Sequence, residues 1–377
     1  MQNGDPFSGR PLQYDGIQAL RFFAALAVVF CHAAFYTTER LHVGRLLPWG
    51  GSGVDVFFVI SGFVMLLSSQ RLVGVPGGWK DFLVQRLIRI APLYWIATTA
   101  KLTVLLAAGA LVYHAVVDWP SIVRSYLFLP SRNVDGEIAP LLGVGWTLIY
   151  EMFFYAIFTL ALALRANRFA FVGTVLALCS LGYLARPASF SPWLVYLDPL
   201  VLEFFYGMVI AGVMLRKFAL PSPLAVVLAG AGAVLLVGQP DWGWGWRAIT
   251  AGLPAAMIVL GVVALEPRLH GRVPRPLMFA GAASYSLYLF HPLSIPAVPV
   301  LLGRVGLQNA TLSVLLGVTM ALAAAAVVYV VIELPITRWL RRLSVFTAHT
   351  HRPVIEPVQS APIGDSAGNR APAGITP

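Results

Sequence analysis

Charge is what this sequence lacks. Of its 377 residues, 11% are Asp, Glu, Lys or Arg and 58% are hydrophobic, whereas a soluble domain carries about 25% charged residues. That excludes an ordinary soluble enzyme and describes a polytopic membrane protein. Cysteine is nearly absent too. Cys31 and Cys179 both fall in apolar segments, so neither a disulfide framework nor a metal site is indicated. Cys31 adjoins His32, but consecutive helical residues point about 100° apart, which argues against a Cys–His dyad. No basic run exists, so the formal charge of +10 does not point to nucleic acid. In a membrane chain it records the bias of Lys and Arg toward cytoplasmic loops. No internal repeat and no cleavable signal peptide are apparent. The length leaves no room for a large soluble domain beside about ten spans.

What is present is a series of apolar runs. They predict an all-α bundle with spans near 17–37, 54–70, 91–113, 142–164, 169–186, 198–215, 222–238, 246–265, 279–301 and 311–332. An even number puts both termini on one side. Loops and span ends on that side hold 17 Lys and Arg against 7 opposite, so the termini are expected in the cytoplasm. Residues 1–16 form a cytoplasmic N-terminal segment and 17–344 the membrane domain. Residues 345–377, rich in Pro, Ala, Gly and Ser, read as a disordered cytoplasmic tail.

The polar exceptions inside these spans carry the functional argument. Arg21 and His32 sit eleven residues apart in the first span. That is about 16 Å of helix and about three turns, so they share a face. An ionisable group at membrane depth costs roughly 2.5 kcal/mol or more and marks a functional site by default. The plainer reading has Arg21 reaching to headgroups and His32 bonding a neighbouring helix. Glu151 lies about 13 Å in from the outer end of the fourth span, a depth comparable with His32, so the two are placed to meet. A protonated carboxyl bonding a backbone carbonyl is the alternative. Asp55 follows four small residues, Gly50 to Gly53, either as a cap beside packing glycines or as a partner of His32. Arg86 and Arg89 share a helix face at i and i+3. Guanidinium forks suit phosphate, and charges that merely hold the boundary beside anionic lipid have the same pattern. Ser284, Tyr288 and His291 recur on one face of the ninth span, His291 near mid-depth. Trp242, Trp244 and Trp246 read as interface anchors, with stacking on a sugar ring the alternative. Glu333, at the cytoplasmic boundary, is expected to pair with Arg21, Arg86 or Arg89.

As a set, these residues resemble the acyltransferase-3 family of integral-membrane O-acyltransferases. The resemblance rests on Arg21, ten residues and His32; on Gly51-Ser-Gly-Val-Asp-Val-Phe-Phe-Val-Ile-Ser-Gly62; and on Arg86-x-x-Arg89. Trp146-Thr-Leu-x-Tyr-Glu-x-x-Phe-Tyr155 is similar to the family's exopolysaccharide branch, which includes succinoglycan-type acetyltransferases. Ser284-Tyr-Ser-x-Tyr-Leu-x-His291 and Glu333-Leu-Pro335 resemble two further family signatures.

The resemblance implies O-acylation of a carbohydrate or similar hydroxyl in the bacterial inner membrane, with acetyl-CoA the usual donor and no metal. Acetylation of a polysaccharide repeat unit, or of its lipid-linked oligosaccharide precursor, is the expectation; succinyl and longer acyl groups stay open. Arg86 and Arg89 would clamp the phosphates of acyl-CoA from the cytoplasm, with Arg21 between clamp and base. His32 would act as general base or carry the acyl group covalently, with Glu151 or Asp55 orienting its ring. Tyr150, Ser284 or His291 would stabilise the oxyanion, and Trp146 and Tyr288 would border the substrate. Some relatives carry a fused esterase-like domain, so this chain is expected to act alone or with separate polysaccharide-assembly proteins and membrane lipids. Buried Arg, His and Glu also suit a secondary transporter with a proton relay, or a translocator of acyl or glycan groups. That reading predicts internal symmetry, and none is visible.

Overall fold

The computed structural model describes residues 14–109, 112, 114–216, 218–239 and 243–343. The expected tail, Trp242 and most of the expected N-terminal segment lie outside the described residues. Within them the chain is helical, and its β-pairing is the isolated bridge between Arg132 and Ile138. Seven helical stretches have the length and apolarity to cross a membrane. The expected sixth, seventh and eighth spans appear as shorter apolar helices, Pro199–Leu215, Ser222–Val237 and Ala248–Ala264.

The helices used below are α1 (Asp15–Leu41), α2 (Gly53–Ser68), α3 (Gly78–Ala108), α4 (Trp119–Tyr126), α5 (Trp146–Ala163), α6 (Arg168–Gly182), α7 (Leu202–Leu215), α8 (Ser222–Val237), α9 (Leu253–Ala264), α10 (Glu266–Leu269), α11 (Arg275–Ala282), α12 (Ser284–Ser294), α13 (Ala297–Arg304), α14 (Ala310–Val328) and α15 (Leu334–Arg342). Sequence chemistry sets their ends. Asp118, Asn167 and Asn309 cap α4, α6 and α14 by accepting from the backbone N–H of Ser121, Ala170 and Leu312. The first turn of α1 is capped from a distance: the Glu266 carboxylate accepts from Asp15 N at 2.6 Å and from Gly16 N at 2.9 Å.

Proline shapes the rest. A proline removes the donor for the carbonyl four residues back and clashes with it. Wide π turns accordingly precede Pro254 and Pro335, at Ala248–Gly252 and Tyr329–Glu333. The expected ninth span is three successive short helices, α11 to α13, with Pro276, Pro292, Pro296 and Pro299 along it. By contrast α3 starts well before its expected span, so Arg86 and Arg89 stand on the helix itself.

Lipid offers no hydrophobic drive between helices, so close packing holds the bundle. The tightest crossing is α2 on α7. A Cβ on Gly62 would land on the Phe204 carbonyl, and one on Gly207 would land on the Val59 carbonyl. Beside it Phe58 and Phe154 sit on Phe204, with ring centroids 4.6 and 4.5 Å apart. Gly53 presses on the Ala24 carbonyl of α1 in the same way, so this glycine of the motif serves packing. α1 lies against α2, α11, α12 and α14, whereas α5 lies against α3 and α6.

Candidate active site

Two cavities enter the bundle from opposite ends. One opens where α1 begins and α15 ends, here the terminal end. Its mouth, of about 1490 Å³, is lined by Arg21, Arg86, Arg89, Glu333 and Arg341. It continues into a cavity of about 860 Å³ that shares the first three arginines and adds Phe57, Glu151, Ser284 and Tyr288. The arginines differ in their engagements. Arg89 is bound to Glu333 at 3.3 Å and lies over the Tyr285 ring. The other oxygen of Glu333 accepts from Ser286 at 2.6 Å; the π turn before Pro335 carries this carboxylate inward, and it is 5% exposed. Arg86 donates to the neutral Ser68 hydroxyl at 2.6 Å, and its buried Nε has no partner. Arg21 reaches Gln18 at 3.5 Å. Of the three partners expected for Glu333, the structure selects Arg89.

The distal cavity, of about 1090 Å³, is lined by His32, Tyr36, Glu39, Lys101, His114 and Trp146, among others. His32 and His291 meet at its inner end. The Nδ1 of His32 lies 3.1 Å from the Val28 carbonyl and 3.1 Å from His291 Nε2. The Nδ1 of His291 lies 3.1 Å from the Leu287 carbonyl. Carbonyls accept only, so each Nδ1 carries a proton in the neutral rings. His291 Nε2 therefore accepts from His32, and His32 Nε2 keeps its lone pair. The hydrogen bonds of His32 found among the described residues are both made by Nδ1, and its ring lines the cavity.

A single layer separates the two cavities. The Tyr288 hydroxyl lies 2.9 Å from the Thr147 hydroxyl and donates to the Val144 carbonyl at 3.1 Å. Thr147 and Tyr288 wall the terminal-side cavity, and Val144 and Trp146 wall the distal one.

The structure does not place Glu151 or Asp55 on His32, contrary to the expectation that one of them orients the ring. Glu151 accepts from Ser61 at 3.0 Å and from Tyr155 at 2.5 Å. It lines the terminal-side cavity together with Arg21. Asp55, fully buried, receives a two-pronged bond from Arg247, Nε to Oδ1 at 2.9 Å and Nη2 to Oδ2 at 2.8 Å. The buried Glu203 lies against it. Arg247 is stacked under Trp244, so this tryptophan serves more than the interface. Tyr150 packs between Phe58 and Trp146 and lines neither cavity. Ser284 presents an unpartnered hydroxyl to the terminal-side cavity, about 10 Å along α12 from His291.

Sequence reasoning missed Arg341, Arg247, His114 and the role of Lys101. Lys101 had a signal, a cation inside an apolar span. Arg247 had none, since its partner is 192 residues away. The ligand atoms of Asp15, Glu266 and His270 come within 4.8 Å of one another. Both carboxylates there already accept backbone N–H groups, Asp15 from Gly271 at 2.7 Å, which makes the cluster a helix-end clamp.

Fold and site define a multi-pass membrane protein in which a cationic passage from one end approaches an imidazole pair reached from the other. The profile of a family described as an acyltransferase domain matches residues 14–331, and the chain belongs to that family, acyltransferase-3. It is 35% identical to the exopolysaccharide production protein ExoZ of Rhizobium meliloti, over 81% of this chain and 94% of that one. It is 27% identical to the acyltransferase MdmB of Streptomyces mycarofaciens, over 90% and 96%. It is 28% identical to the putative membrane-bound transacylase BcsY of Komagataeibacter xylinus, over 73% and 71%. No solved structure matches the chain. The protein is an acyltransferase for groups other than aminoacyl groups.

Proposed function

We propose that the protein moves an acetyl or similar short acyl group from cytoplasmic acyl-CoA to a hydroxyl of an exported polysaccharide or its lipid-linked precursor. The observation that carries this reading is the free Nε2 of His32 at the distal cavity, backed by His291, with arginines gathered at the opposite mouth. The similarity to ExoZ supports the polysaccharide acceptor. The excess of Lys and Arg at the terminal end supports a cytoplasmic mouth.

In this reaction Arg86, Arg341 and Arg21 hold the donor's phosphates and the acyl arm runs inward past Phe57 and Glu151. His32 Nε2 takes the proton of the acceptor hydroxyl as its oxygen attacks the thioester carbonyl. The imidazolium is steadied through Nδ1–H by His291 Nε2 and the Val28 carbonyl, the role a carboxylate plays in a Ser-His-Asp triad. The tetrahedral oxyanion collapses, the C–S bond breaks, and the thiolate takes the proton from His32. The Tyr288 and Thr147 hydroxyls, between the cavities, serve the oxyanion by turning their protons from the Val144 carbonyl to which both donate. Glu151 with Tyr155, and Asp55 with Arg247, position helices. Acyl transfer gives the arginine mouth a purpose that a transporter reading does not supply.

The test is release of coenzyme A from radiolabelled acetyl-CoA by purified protein supplied with a lipid-linked oligosaccharide fraction. Wild type should release coenzyme A and label the glycan, and His32→Ala should do neither while remaining folded. Equal activity of the variant removes His32 from the chemistry. Inertness of the wild type toward acyl-CoA returns the transporter reading.

A further inference from the structure

The distal cavity holds a cation that the reaction above leaves unused. Lys101 stands on α3, seven residues before its end at Ala108, or about 10 Å into the bundle, and it lines the same cavity as His32. Among the described residues it has no hydrogen-bond or ion-pair partner. The charged groups facing it are Arg40, which repels it, and Glu39, which attracts it. Glu39 is engaged by one oxygen, Oε1 lying 2.5 Å from His114 Nε2, while its buried Oε2 makes no hydrogen bond to Lys101. His114 in turn reaches Asp135 through Nδ1 at 2.7 Å. With both its nitrogens on carboxylates, His114 is arranged as an imidazolium. At the cavity wall three cationic side chains, Arg40, Lys101 and His114, thus stand against two carboxylates, Glu39 on the wall and Asp135 behind His114, an excess of one positive charge. A cation on a membrane-crossing helix is costly unless it serves a pathway or a ligand. One acting only as an anchor would extend to the headgroups, whereas this side chain borders an internal cavity.

We propose that Lys101 makes the distal cavity a site for an anionic acceptor. A carboxylate or phosphate of the acceptor rests on the Lys101 ammonium, and this contact presents the hydroxyl to His32 Nε2. Ammonium is a compact, mobile charge and accepts either oxyanion. Two sources supply the chemistry: an acidic sugar within the repeat unit, or the diphosphate that joins a glycan to its lipid carrier. The proposal rests on the acyltransferase reading above.

The experiment compares wild type, Lys101→Met and Lys101→Arg on three acceptors: the native lipid-linked fraction, the same fraction after carboxyl reduction, and the glycan freed from its lipid diphosphate. Removing a charge-assisted contact should lower kcat/KM for the native acceptor about ten- to a hundredfold in Lys101→Met. The donor KM and the thermal midpoint should be unchanged, and Lys101→Arg should restore most of the rate. The neutralised acceptor on which wild type falls to the level of Lys101→Met names the source of the anion. Equal rates on the native acceptor overturn the proposal, as does a deficit of Lys101→Met that persists on both neutralised forms. If wild type releases no coenzyme A with any acceptor, the acyl-CoA reading fails first and takes this inference with it. Release that is normal in wild type and in Lys101→Met alike sinks the inference alone.

Discussion

Asp55 stands in the family motif, and its geometry predicts a structural rather than chemical phenotype. The Asp55 side chain is 0% exposed and the Arg247 side chain 23%. Removing one member of such a buried pair strands the other charge, at about 3–5 kcal/mol. Here a second carboxyl, Glu203, lies against Asp55 and within Coulombic reach of Arg247. Glu203 is therefore a substitute counter-ion. Asp55→Asn alone should cost about 1–2 kcal/mol and Glu203→Gln alone less than about 1 kcal/mol, while the double variant should pay the full stranding cost of about 3–5 kcal/mol. Unfolding of purified protein in mixed micelles titrated with denaturing detergent would measure the three values. Acyl transfer assayed well below the unfolding midpoint should persist in both single variants, because neither carboxylate touches His32. Additive losses would refute the shared-partner argument. A stably folded Asp55→Asn protein with no transfer activity would return Asp55 to the chemistry.

His291→Ala should lower kcat by about 10²–10⁴, the range of general acid–base catalysis, with little change in donor KM; a wild-type kcat would show that His32 needs no orienting partner. Arg341→Gln should raise the donor KM about tenfold, as for a lost charge-assisted bond, whereas its neighbour Arg342→Gln, outside the mouth, should not; equal KM values would remove α15 from donor binding. His114 titrates outside the membrane. Its hydrogen bond to Glu39, joined by one to Asp135 and opposed by partial burial, raises the imidazole above its ordinary value. The folded pKa exceeds the unfolded one, so the contact contributes fully below about pH 6.5 and is lost as pH rises through the raised value. Protection of the loop around His114 from proteolysis should therefore be greater at pH 6 than at pH 9 in wild type and independent of pH in His114→Gln. Single cysteines at Arg272 and Gln308, both exposed and at opposite ends, should label from the cytoplasm and from the far side respectively; the reverse would invert the donor route.

Much of this was legible in the sequence. Apolar run length gave the helices, and the 1.5 Å rise gave the depth of His32, His291 and the arginines. Depth on separate helices does not say which helices touch, and that is where the reading of Glu151 went astray. It matched His32 in depth, but α5 lies on α3 and α6 while α12 lies on α1, so His291 became the partner. Asp55 was lost for the same reason, since Arg247 follows a turn whose return path no local pattern encodes. Proline chemistry was visible letter by letter, yet its result, a π turn that sends Glu333 inward to Arg89 and Ser286, depends on where α15 then docks.

The clasp of Tyr288, Thr147 and Val144 has an electrical consequence. With a cavity on either side, reactants arriving from opposite ends meet across that one layer. In the proposed reaction the proton leaves a hydroxyl on the distal side and ends on a thiol on the terminal side. The acyl group crosses the layer in the opposite sense, and each side holds a neutral thioester or thiol, alcohol or ester, before and after, so a turnover moves no net charge. A membrane potential, which acts at about 2.3 kcal/mol per charge carried through 100 mV, therefore neither drives nor opposes the proposed transfer, whose driving force is that of the thioester alone.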